Sequence, residues 1–169
     1  MTGRPFSLAL AAFLALLLAS SAFGEEPVVS ARIVGITDGD SVKALVAGNQ
    51  LLRVRLSWID APERSQAFGQ RSKQHLSELV FGREVELHTF GLDRYGRTLA
   101  VIFVDGTDVN LSQVRSGFAW VYEYYIGDAA ASVQESYHAA QLAAQQERRG
   151  LWSDTLTPVP PWEIRHAAH

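Results

Sequence analysis

Apolar runs broken by turns occupy residues 28–57, with strict period-two alternation over 52–57, and a helical spacing follows beyond residue 67. Val28, Ala31, Ile33, Val34 and Ile36 lead into Thr37-Asp38-Gly39-Asp40, and Val42, Leu45 and Val46 follow, which reads as a hairpin. Gly48-Asn49 makes a second turn. Leu52, Val54 and Leu56 then alternate with Arg53, Arg55 and Ser57, predicting a half-buried strand with both arginines on its polar face. Pro62 stops that strand. Leu76, Leu79 and Val80 stand at i, i+3 and i+4, so the spacing predicts a helix over 67–81, ended by Gly82 in a left-handed cap. Val85 and Leu87 alternate with Glu84, Glu86 and His88 as another strand. The nearly continuous apolar run over 99–104 is a buried strand closed by Asp105-Gly106. A short helix over 111–116 follows. A longer one over 132–148 has Val133, Tyr137, Ala140 and Ala144 on one face and Ser132 as its cap.

Five short strands, one inserted helix and further helices behind them predict an α+β fold. The expected form is a five-stranded OB-fold barrel with about three α-helices. In the tail over 153–169 the Pro-rich stretch 156–162, with Pro158, Pro160 and Pro161, reads as an extended segment crossing the surface, with Trp162 packed on the barrel. No repeat or linker divides the chain.

The N-terminus stands apart from this domain. Arg4 precedes an apolar stretch over 6–19 broken only by Ser7, and Ala22-Phe23-Gly24 supplies small residues before Glu25-Glu26. This predicts an export signal over 1–24, cleaved after Gly24, with the domain over 25–152 in a secreted or periplasmic protein. The competing reading is an uncleaved anchor, since residues 6–23 approach the roughly 18–20 that span a bilayer. Export permits disulfides, but the chain has no cysteine, so thiolate chemistry is excluded and packing must hold the fold. Of 15 basic residues, 14 remain once Arg4 is removed, against 18 acidic ones, a net charge of −4. Any contact with nucleic acid is therefore local rather than a general basic coat. Thirteen of the 15 are arginine, which favours bidentate grip of phosphate.

Three polar clusters interrupt the apolar pattern: Asp38-Gly39-Asp40, the segment Arg55 to Glu63 with Asp60-Ala61-Pro62-Glu63 at its end, and Asp93-Arg94-Tyr95-Gly96-Arg97. Each alone is also readable as a turn or strand stop. Together, in this order, they resemble the thermonuclease or staphylococcal-nuclease-like family. The likeness continues through Leu99-Ala100, Asp105-Gly106, Val109-Asn110, Val114-Arg115-Ser116-Gly117 and Gly150-Leu151-Trp152.

The resemblance implies a Ca2+-dependent endonuclease acting on DNA and RNA and leaving 3′-phosphates. It implies calcium held by Asp40, Asp60 and the backbone carbonyl of Ala61, with Asp38 behind them. Glu63 would be the general base, Arg55 and Arg97 the phosphate-binding guanidiniums, and Arg94, Tyr95 and Tyr125 the substrate contacts, with Tyr124 matching less well. Two carboxylates and a carbonyl are hard oxygen donors that leave room for a phosphate oxygen. Ala61 replaces a threonine of the best-known members, and the loop over 64–69 is shorter than their lysine-bearing one. His75, His88 and His138 have no metal-ligand spacing and read as surface or packing residues; His166 and His169 fall in the tail. The implied protein is a monomer with no lasting membrane association. A barrel that only binds nucleic acid, one that binds oligosaccharide or protein, and a membrane-tethered nuclease remain the alternatives.

Overall fold

Strands β1 (Val28–Ile36), β2 (Ser41–Val46) and β3 (Gln50–Leu56) form an antiparallel meander. A two-residue β4 (Ile59–Asp60) follows before helix α1 (Gly69–Val80). Strand β5 (Glu84–Leu92) then pairs antiparallel with both β1 and β6 (Thr98–Val104). The parallel pairing of β3 with β6, Val54 opposite Thr98 and Arg55 opposite Leu99, closes the five long strands into a barrel. Bulges between Ile33 and Gly35 and between Thr89 and Leu92 supply the bending that closure requires. The computed structural model describes residues 27–153 and 158–167. The expected export signal lies outside them. None of the described helices is long and apolar enough to cross a membrane.

The alternation read from the sequence is what fills the barrel. Ile33, Ala44, Val54, Leu56, Leu87 and Ile102 all point inward and are fully buried. Helix α1 lays Ser72, Leu76 and Val80 on this core. Its end is as predicted: Gly82 adopts φ +75°, and its N–H donates to Ile33 O at 2.9 Å.

Beyond β7 (Thr107–Asp108), helix α2 (Val109–Arg115) begins two residues earlier than the apolar pattern indicates, because Asp108 caps it by accepting the Leu111 N–H at 2.8 Å. After β8 (Trp120–Val121), which pairs with β4, come the four-residue α3 (Glu123–Ile126) and the long α4 (Ala131–Gln146). Ser132 is not the cap of α4: it lies in the first turn behind Ala130, and its carbonyl accepts the Ser136 hydroxyl. Tyr137 ties α4 to α2 by donating to Asp108 Oδ2 at 2.8 Å. Burial, then the Asp108 charge, pushes the Tyr137 hydroxyl pKa far up.

The tail departs from expectation. Residues 154–157 lie outside the described set, but Pro161–Ala167 is a helix, α5, and not an extended strap. Pro161 sits at the first helical position, where its missing N–H costs nothing, with Glu163 in the first turn and Arg165 and His166 in the last. Trp162 packs beside β8 and not on a barrel strand, stacked on Tyr122 with ring centroids 5.6 Å apart and edge-on to Trp120.

Candidate active site and metal centre

The first polar cluster is a turn held from three sides. Asp38 Oδ1 accepts the Asp40 N–H at 3.1 Å, which fixes the turn locally. Buried Gln113 of α2 donates to Gly39 O at 2.7 Å and to Ser72 O at 3.2 Å, and pairs with His75 through its Oε1. Gly39 is required for space: a Cβ there would stand 1.9 Å from Ser72 Oγ and 2.7 Å from Ala61 Cβ. Asp40 is thereby aimed inward. Its Oδ1 accepts the Ser41 hydroxyl, and its Oδ2 accepts the Ala61 N–H at 2.7 Å.

Arg55 joins the first cluster to the second. Trp58, at φ +66°, turns the chain after β3 into β4, which pairs with β8. Arg55 Nη1 donates to Leu56 O and Ile59 O at 2.6 and 2.9 Å. Its Nη2 lies 3.2 Å from Asp40 Oδ2 and 3.0 Å from Asp60 Oδ1, so the two carboxylates face each other across one nitrogen. Asp60 is only 1% exposed. Burial and the neighbouring Asp40 charge raise its pKa to about 6, against the pull of Arg165 and Arg55. The same two causes, burial first, raise Asp38 to about 7.

Glu63 sits at the rim with its side chain 42% exposed. Its backbone N–H donates to Gln66 Oε1 at 2.6 Å. Arg165, from α5, reaches both acids: Nη2 is 2.6 Å from Asp60 Oδ2 and Nη1 is 2.8 Å from Glu63 Oε1. Burial works against the Arg165 charge, yet the bonds from Asp60 and Glu63 outweigh it and raise its pKa above the ordinary guanidinium value.

The third cluster is the β5–β6 turn. Asp93 Oδ1 accepts the N–H groups of Tyr95 and Arg97, and its Oδ2 accepts Arg97 Nε at 2.7 Å. Tyr95 lies between the guanidiniums of Arg94 and Arg97, 4.8 and 5.5 Å from its ring centre. Arg53 of β3 donates to Tyr95 O at 2.8 Å, which links this turn to the strand carrying Arg55.

Direct contacts therefore gather Asp38, Asp40, Arg55, Asp60 and Ala61 into one site, and Arg165 joins Glu63 to it. Arg94, Tyr95 and Arg97 form a second group joined to it through Arg53 and the β3–β6 pairing. Tyr125 is 58% exposed on α3, with its ring 5.2 Å from Tyr122, and Tyr124 is 68% exposed. His75 packs on Phe118 and His88 on Phe103, while His138 meets Glu123.

Three residues escaped the sequence reading. Arg165 belongs to no spaced motif, although Pro161 opening a run of helix formers was a signal for the helix that carries it. Gln113 falls inside the predicted short helix with no role assigned, and Asn110 enters only within the Val109-Asn110 likeness. Asn110 in fact accepts the Ile102 N–H and donates to Ser57 O and Ala100 O, both at 3.1 Å, locking the turn after β3 to β6.

Among the described residues no three His, Cys, Asp or Glu side chains are gathered as a metal-binding group. The donor set at issue is smaller: Asp40, Asp60 and the Ala61 carbonyl. Two buried like-charged carboxylates facing each other fit a hard divalent ion such as calcium, which takes oxygen ligands and completes its shell with water or phosphate.

The family model for staphylococcal nuclease homologues matches residues 53–154. A Haemophilus influenzae protein described as an uncharacterized endonuclease is 46% identical over 134 residues, covering 79% of this chain and 71% of its own. A micrococcal nuclease of Shigella flexneri is 40% identical over 81% of this chain and 80% of its own. Protein ParB of Escherichia coli is 38% identical over 95% and 91%.

Proposed function

Given that the chain belongs to the family of staphylococcal nuclease homologues and is a nuclease of that family, we propose that it is an exported, calcium-dependent endonuclease. Its substrates are DNA and RNA, single strands preferred, and its products carry 3′-phosphate and 5′-hydroxyl ends. One observation carries the reading: buried Asp40 and Asp60 face each other across Arg55, and a single guanidinium reaches both Asp60 and Glu63. A cation beside Asp60 therefore has the base within one side chain's reach.

Asp40, Asp60 and the Ala61 carbonyl hold the ion, and Asp38 keeps the turn that aims Asp40. When bound, calcium supplies positive charge at the scissile phosphate and eases deprotonation of water. Glu63 accepts the proton as the water oxygen bonds to phosphorus. The bond from phosphorus to the 5′ oxygen breaks, and that oxygen takes a proton from solvent. Arg55 and Arg97 stabilise the charge that builds on the equatorial oxygens. Arg97 does this electrostatically, because a guanidinium keeps its proton and is a poor acid. Arg94 and Tyr95 hold a neighbouring phosphate, and exposed Tyr125 offers a ring for base stacking. The protein acts as a monomer and leaves the membrane when its signal is cleaved.

The test incubates purified protein with single-stranded DNA in calcium or in chelator and identifies the ends. Calcium-dependent cleavage to 3′-phosphates, reduced at least ~100-fold in Glu63→Gln and Arg97→Ala, is the expected result. Nucleic-acid binding without cleavage under any divalent ion would favour the binding module instead. N-terminal sequencing after cell fractionation tests export.

A further inference from the structure

Among the described residues, Arg165 of the C-terminal helix reaches the proposed calcium ligand Asp60 from outside the barrel. Arg165 makes a two-pronged contact with Asp60, Nη2 at 2.6 Å from Oδ2 and Nη1 at 3.4 Å from Oδ1, and the same Nη1 holds Glu63 Oε1 at 2.8 Å. We propose that α5 is a latch: Arg165 stands in for the divalent cation, keeps the metal-free site closed, and is displaced when calcium binds. This rests on the calcium reading given above and adds a regulation of that site.

Three observations carry it. Calcium bonds carboxylate oxygens at about 2.3–2.6 Å, so a nitrogen already 2.6 Å from Asp60 Oδ2 obstructs that oxygen. The same guanidinium engages Glu63 Oε1, so one residue occupies both a proposed metal ligand and the proposed base. Finally, the helix packs outside the five-stranded barrel. Pro161 is buried, Trp162 stacks on Tyr122 and meets the edge of Trp120, and Gln66 donates to Val159 O at 3.2 Å, whereas Val159 and Ile164 remain exposed. None of these partners lies on a barrel strand, so on the latch reading the seven residues leave with the barrel intact. Arg55 differs in this respect, because its two backbone acceptors fix it within the β3–β4 turn.

The competition is measurable without catalysis. Calcium is titrated by calorimetry into the full chain carrying wild-type sequence, Arg165→Ala or Trp162→Ala. Hydrogen exchange of the peptide over 158–169 is followed with calcium and with chelator. The latch requires about tenfold tighter calcium binding in Arg165→Ala and a smaller gain in Trp162→Ala, which loosens the helix but keeps the guanidinium. It also requires faster exchange over 158–169 when calcium is added to the wild type.

Calcium bound equally well by wild type and Arg165→Ala overturns the latch and leaves the calcium reading standing. Weaker binding in Arg165→Ala overturns it too, making Arg165 a support of the metal site. If neither protein binds calcium, the calcium reading fails and the latch fails with it.

Discussion

Replacing Gln113 by leucine tests how the Asp38-Gly39-Asp40 turn is held. The side chain is fully buried; it donates to Gly39 O and Ser72 O and pairs with His75. Ser72 O keeps its bond within α1, and half-buried His75 can turn towards water, so those two losses amount to ordinary net hydrogen bonds of about 1 kcal/mol each. Gly39 O loses its donor in a buried turn, which adds about 1–3 kcal/mol for an unsatisfied acceptor. Burying a leucine in place of an amide recovers part of this, leaving a loss of about 3 kcal/mol. For a domain of this size that corresponds to a fall in Tm of roughly 10 °C. Urea unfolding at pH 7 gives the free energy, and calcium titration shows whether Asp40 has lost its aim. Gln113→Glu separates hydrogen bonding from packing. It keeps the shape but turns an acceptor towards Gly39 O, so it is expected to cost more than leucine. A loss under about 0.5 kcal/mol in Gln113→Leu, or a milder effect from glutamate, would refute the account.

Gly39→Ala drives a methyl group into Ser72 Oγ and Ala61 Cβ and is expected to lower stability by about 1–3 kcal/mol, with Ser72→Ala relieving only part, as urea midpoints of the single and double variants will show. Burial pushes the Asp93 carboxyl up, but the N–H groups of Arg97 and Tyr95 and the Arg97 guanidinium outweigh it and hold its pKa below the ordinary value. Its stabilisation is therefore full above about pH 4 and lost as pH falls through the lowered folded value, so Asp93→Asn should unfold at less urea than wild type at pH 7 and match it near about pH 2; a gap independent of pH counts against this. Ser57 Oγ is buried with no partner among the described residues, and Ser57→Ala should leave stability unchanged within about 0.5 kcal/mol or raise it. A clear loss in the same unfolding assay would mean that the hydroxyl is satisfied.

The barrel was legible because its strands are half-buried and their alternation records which side faces the core. Leu52, Val54 and Leu56 against Arg53 and Arg55 is the clearest case. The candidate site was legible where its residues lie close in sequence: Asp38 to Asp40, Arg55 to Glu63, Asp93 to Arg97. What escaped is long-range. The parallel closure that sets Arg55 opposite Leu99 follows from barrel geometry and not from any local pattern. Gln113 and Asn110 act on backbone groups 74 and 53 positions away, and nothing in a short helix reveals that its amides point inward. The tail was misread for a local reason. Three prolines suggested an extended strap, but a proline at the first turn of a helix is favourable and the other two precede it.

The placement of charge connects fold and proposed chemistry. Asp38, Asp40 and Asp60 are drawn together by a turn and a strand reversal that the core requires in any case, so their mutual repulsion is built in by packing. That is why burial and neighbouring charge raise Asp38 and Asp60 well above the ordinary carboxylate range. Arg55 meets both Asp40 and Asp60 through one nitrogen while its other nitrogen is committed to Leu56 O and Ile59 O, so it offsets the repulsion only in part. A second positive charge is needed on the open side of Asp60. The C-terminal helix provides it with Arg165, and a divalent ion would provide more of it while leaving Glu63 free. On the proposed reading these two occupants correspond to the closed and the working enzyme, and the exchange between them moves α5 as well as the cation.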